Sequence, residues 1–154
     1  MPLRPLVFLT TLLHAYIAAR LLPALSGLHF AWPLLALALL VSAATMPLPF
    51  VGMRSKRRQF ADVWKWIGLV SMGWFSSMAV LTLVRDAGLL LGWLGTAVSG
   101  ATVDGARWSV WSAAAVPLVA SAISLVGLWN ARRTAGVVRV DVPIRDLPSA
   151  LRGF

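Results

Sequence analysis

The chain has no cysteine and no glutamate. Without cysteine there can be no disulfide, no thiolate metal site and no cysteine nucleophile, and the redox compartment stays open. Without glutamate the acidic groups are five aspartates: Asp62, Asp86, Asp104, Asp141 and Asp146. There are two histidines, His14 and His29, and a single asparagine, Asn130. That is a thin supply of general bases and metal ligands. No Walker A pattern, H-E-x-x-H or G-x-S-x-G occurs. Turnover by this chain alone is not expected. Charge of either sign is also scarce, at 12% of residues against about 25% in an ordinary soluble domain.

What is abundant is apolar. Hydrophobic residues make up 59% of the chain, and mean hydropathy is +0.81. A soluble domain of 154 residues has too little interior to hide that much apolar surface. The expected class is an all-α polytopic membrane protein. Its organising stretch is 64–84, which carries Lys65 in its first turn and no other charge. As a helix this run is about 30 Å long, the thickness of a bilayer's hydrocarbon core.

Three more runs read as spans, giving transmembrane helices at about 5–22, 30–48, 64–84 and 108–129. In the first, Pro5 suits an opening helical turn, and Pro23 with Ser26 and Gly27 ends the run. It resembles a signal peptide in length, but it continues past His14, Tyr16 and Arg20 without a clean small-x-small site. Trp32 opens the second run, and Pro47 and Pro49 stop it. In the fourth, Trp108 and Trp111 mark one interface and Trp129 the other, and Pro117 predicts a kink. Ser109, Ala113, Pro117 and Ser121, extended by Ala120 and Ser124, form a small-residue face suited to close helix packing. The run 87–98, rich in glycine, is too short to span; it reads as a short interfacial or partly re-entrant helix. Gly88 and Gly92 match a small-xxx-small spacing there, although a flexible interfacial segment is the plainer reading.

Charge placement orients the spans. Net charge is +9. The basic residues flank apolar runs, so lipid headgroups and topology account for them better than nucleic acid does. Arg54, Lys56, Arg57 and Arg58 fall between spans two and three, Lys65 sits in the first turn of span three on the same side, and Arg132 and Arg133 follow span four. Arg20, Arg85 and Arg107 fall on the other side, offset by Asp86 and Asp104. The positive-inside rule then puts both termini in the cytoplasm. The expected partners are the bilayer, anionic headgroups at 54–58 and further copies of the chain, with no nucleic acid.

His14, Tyr16 and Arg20 are candidates for intramembrane polar groups on span one. Six residues separate His14 from Arg20, which places them on different helical faces. The two histidines lie at different depths, so a shared haem or metal is not expected. No catalytic, cofactor-binding or metal-binding residue is assigned.

The chain divides at 134. Residues 1–134 form the four-helix domain, and 135–154 are a linker with an extended segment. Val138, Val140 and Val142 alternate with Arg139 and Asp141 in a half-buried strand pattern, which Pro143 stops. The motif V-x-V-P-I-x-x-L-P-x-x-L-x-G-F over 140–154 resembles the lead-in to the catalytic domain of bacterial membrane-bound metallophosphoesterases, in the calcineurin-like superfamily. The stretches 14–22 and 64–73 are similar to that family's membrane region. The resemblance implies a membrane anchor for a cytoplasmic hydrolase domain that uses a divalent metal pair. The family's Asp-x-His, Gly-Asp, Gly-Asn-His and Gly-His-x-His ligand motifs do not occur in 1–154, so no catalytic residue carries over. Two alternatives stand beside the anchor. One is a small transporter or channel subunit with His14, Tyr16 and Arg20 along a path. The other is a membrane scaffold that binds a partner through its basic tail.

Overall fold

Long apolar stretches without internal proline favour helix, because each backbone N–H and C=O is then satisfied within its own segment. The computed structural model describes residues 3–49, 58–100, 104–133 and 136. Its described residues contain four long helices and no strand. They are α1 (Leu3–Leu21), α2 (Ala31–Thr45), α3 (Arg58–Ser99) and α4 (Gly105–Arg132). Each falls on one of the four apolar runs. The valine alternation at 138–142 and the motif at 140–154 lie outside the described residues, as does the basic stretch 54–57; of Arg58 only the backbone is described.

The main departure concerns 87–98. No separate interfacial helix exists there: these residues are the last turns of α3, a single helix of 42 residues. At about 1.5 Å per residue α3 is about 63 Å long. Arg85 and Asp86 do not break it, because their charges are satisfied by neighbouring helices. Gly88, Gly92 and Gly95 do not break it either. Each weakens the helix by about 1 kcal/mol relative to alanine, which a long cooperative helix absorbs. Gly100 ends it, with φ +67 and an N–H donated to the Thr96 carbonyl at 3.0 Å. Asp104 then caps α4, accepting from the Arg107 N–H at 3.1 Å. α4 runs unbroken through Pro117.

Side-chain contacts fix the helix directions. His14 meets Phe75 and Arg20 meets Asp86, so α1 and α3 are parallel. Trp74 meets Ser121 and Arg85 meets Ser109, so α3 and α4 are antiparallel. Thr45 Oγ lies 2.7 Å from Ser71 Oγ, while Pro49 reaches back to Gly68, so α2 and α3 are antiparallel. α3 packs on all three partners, most extensively on α4. Its buried positions are Gly68, Phe75, Met78, Thr82 and Arg85, a seam with steps of three, four or seven. α4 answers with Ala113, Val116 and Ala120. Such a seam keeps two long helices in contact along their length. The small-residue face expected on span four is the face that meets α3.

Ile17, Leu21, Leu25, Leu35, Leu39, Phe75 and Met78 complete the core. Outside it the helices are apolar as well: Leu118 is 72% exposed and Trp129 70%. Two helical segments, Asp62–Ser99 and Gly105–Arg132, are long and apolar enough to cross a membrane. Only 22% and 17% of their apolar windows are buried, unlike the core helix of a soluble protein. The apolar parts of the other two, Val7–Leu21 and Ala31–Thr45, are shorter.

Ser124 sits in the α4 seam with a buried hydroxyl that has no partner among the described residues. Such a group costs about 1 kcal/mol or more. Ser124→Ala removes it and improves helix propensity. This variant should be more stable by about 0.5–1 kcal/mol in a mixed-micelle unfolding titration.

Candidate functional site

Polar side chains from three helices, Tyr16, Arg20, Arg85, Asp86, Ser109 and Ser112, gather at one level of this apolar bundle, near the end of α1. The centre is Asp86, in the second half of α3. Its Oδ2 accepts from Arg20 Nε at 2.6 Å and from the Tyr16 hydroxyl at 2.6 Å. Its Oδ1 accepts from Arg85 Nη1 at 3.1 Å. Tyr16 and Arg20 can share one carboxylate because they are four residues apart on one face of α1.

Arg85 turns towards α4. Nε donates to Ser112 Oγ, and Nη2 donates to both the carbonyl and the hydroxyl of Ser109, all at 3.1 Å. Its side chain is 5% exposed, whereas that of Arg20 is 48% exposed. Arg85 is therefore a buried cation, while Arg20 is half in solvent. A buried charge is tolerated only with such a set of partners. Two arginines share one aspartate, so the cluster carries a net +1.

His14 belongs to a separate arrangement further along α1. Its ring stacks on Phe75 with centroids 4.1 Å apart. Nδ1 lies 2.7 Å from the Thr10 carbonyl, which can only accept, so Nδ1 carries a proton. Nε2 lies 3.3 Å from Ser42 Oγ, within hydrogen-bond distance. Both nitrogens are occupied in holding α1 to α2. His29 is exposed in the connection between α1 and α2. The structure thus separates His14 from Arg20, which six residues of helix already put on another face, and it also separates His14 from Tyr16.

Beside Arg85 lies a cavity of about 620 Å³ between the end of α3 and the start of α4. Arg85, Ser109 and Ser112 form its polar end, and Leu89, Trp93 and Trp108 line apolar walls. Gly88 and Gly92 leave open space on the α3 side: a Cβ at either would meet nothing within 4 Å. At the opposite end of the bundle Arg132 lies over the Trp66 ring at 5.4 Å. That cation–π contact ties the end of α4 to the start of α3. There Lys65 pairs with Asp62 at 3.4 Å, a surface contact worth little.

Arg85 and Asp86 are the residues that sequence reasoning missed, having taken them as flanking charges outside span three. The signal was that apolar residues resume at once after Asp86, without proline. An arginine–aspartate pair inside such a run needs partners, and Tyr16 with Arg20 had the right spacing to supply them. No group of metal-ligating residues occurs among the described residues. Neither a family model, nor a curated protein, nor a solved structure matches the chain.

Proposed function

We propose that this chain is a four-span membrane anchor that holds a cytoplasmic metallophosphoesterase domain at the inner leaflet. The observation that carries the membrane reading is the apolar outer surface of α3 and α4, left uncovered along most of both helices. In water each such leucine would forfeit about 1.5–3 kcal/mol of burial; in lipid it forfeits almost nothing. α1 and α2 are counted as spans because they pack in alternating directions on the part of α3 that is about one bilayer thick. With four crossings, Arg132 and Arg133 emerge on the same side as Arg54, Lys56, Arg57 and Arg58, in accord with the positive-inside rule.

The anchor role rests on the resemblance at 140–154. The divalent metals would belong to the hydrolase domain, where a metal pair activates water for phosphoester cleavage. A transport path along His14, Tyr16 and Arg20 finds less support. His14 spends both nitrogens on structural bonds, and neither it nor Arg20 lines a cavity described above. Topology is tested with reporters fused after Phe154 and inserted at Gly27. A reporter active only in the cytoplasm after Phe154, and only in the periplasm at Gly27, is the expected result. Periplasmic activity after Phe154 overturns the four-span count and, with it, the anchor.

A further inference from the structure

The cavity beside Arg85 has a cationic, hydroxyl-bearing end at Arg85, Ser109 and Ser112, and its mouth adjoins exposed apolar surface on α3 and α4. Of the N–H groups on the Arg85 guanidinium, one is left without a described partner once Ser112, Asp86 and Ser109 are served. The Ser109 hydroxyl accepts from Arg85, and its own hydrogen has no described acceptor. Two donors therefore remain at the polar end of the cavity. The surrounding cluster has an uncompensated positive charge, since Arg20 and Arg85 share Asp86 alone. A net positive charge on the cluster as a whole favours an anion beside it.

Depth argues for a lipid rather than a free ion. Arg85 lies level with the end of α1, and Trp108 stands beside it at the start of α4, as an interfacial tryptophan does. Val84 lies one turn before Gly88 on the same face of α3 and is 62% exposed; Trp111, one turn on from Trp108, is 66% exposed. The apolar surface thus continues from the cavity mouth toward mid-membrane, as acyl chains require.

We propose that this cavity binds one anionic phospholipid of the outer leaflet. The phosphate sits on Arg85 and the Ser109 hydroxyl, the headgroup alcohol fills the space over Gly88 and Gly92, and the acyl chains pass over Val84 and Trp111. The site lies at the end of the bundle opposite Lys65, Trp66 and Arg132. It rests on the membrane reading above but not on the identity of any attached domain.

The test is native mass spectrometry of the full chain, released from neutral detergent containing equal amounts of phosphatidylglycerol and phosphatidylcholine. One phosphatidylglycerol should be retained in preference. Gly92→Leu fills the cavity without a clash and raises helix propensity, so it should fold; it should cut retention about tenfold. Arg85→Gln should also cut it, if that variant folds. Equal retention of the two lipids, or full retention in Gly92→Leu, overturns the proposal. So does displacement of the lipid by millimolar inorganic phosphate, which would mark a free-anion site. Extraction of the chain from membranes by alkaline carbonate would instead overturn the membrane reading itself, a result distinct from a membrane-bound chain that retains no lipid.

Discussion

Replacing Asp86 with alanine is expected to destabilise the bundle by about 3 kcal/mol, the low end for breaking a buried ion pair. The loss comes from what is left behind. Arg85, almost fully buried, would lose the one carboxylate partner it has among the described residues while its α4 contacts remained. Tyr16 would lose its acceptor. The low end applies because Arg20 is half exposed and can turn to solvent. For that reason Arg20→Ala should cost no more than about 1 kcal/mol. Tyr16→Phe removes one hydrogen bond to a charged group and should cost about 1.5 kcal/mol. The neutral pairs elsewhere, Thr45 with Ser71 and Trp74 with Ser121, are each expected near 0.6 kcal/mol, the average for such bonds in a membrane bundle. Stability read from mixed-micelle unfolding should therefore rank Asp86→Ala well above Tyr16→Phe, with Arg20→Ala last. If Arg20→Ala matched Asp86→Ala, the account of Arg85 as the vulnerable partner would fail.

The second large effect is expected at Gly68. A Cβ there would run into the Pro49 ring and lie 3.1 Å from the Thr45 carbonyl oxygen. Backbone and proline ring have little room to give, so α2 must move away from α3. Overpacking of this kind costs about 1–3 kcal/mol. The helix-propensity gain on replacing glycine is about 1 kcal/mol, so it does not reverse the sign for a large side chain. Gly68→Leu should lose about 2–3 kcal/mol. Gly73 supplies the control, because a Cβ there meets nothing within 4 Å. Gly73→Ala should be neutral or stabilise by up to about 1 kcal/mol. Equal behaviour of the two glycines would mean that α2 does not approach α3 as closely as Thr45 and Pro49 indicate.

The arginine–aspartate pair shows where sequence reasoning stops. Charge after an apolar run usually marks a boundary, because a charge inside one is expensive. Arg85 and Asp86 satisfied that rule on paper, so the run before them was closed and the run after them became a short separate helix. Neither inference allowed for a neighbour. Tyr16 and Arg20 are 70 and 66 residues away from Asp86 in the chain. Nothing local announces that they will meet it. His14 was different: its separation from Arg20 around the helix is a property of a single helix, and its spacing alone placed it elsewhere.

The sequence by itself determined the four helical stretches, since apolar length, proline and tryptophan positions act locally and need no partner. It also determined the small-residue face of α4, because spacing of three and four along one helix is fixed by helix geometry. Tertiary structure alone decided that α3 continues through Arg85 and Asp86, that two arginines lean on one aspartate, and that a cavity opens beside them. Those outcomes depend on which side chain from another helix arrives at a given level, and a charge is tolerated inside an apolar bundle only when such a partner is in place.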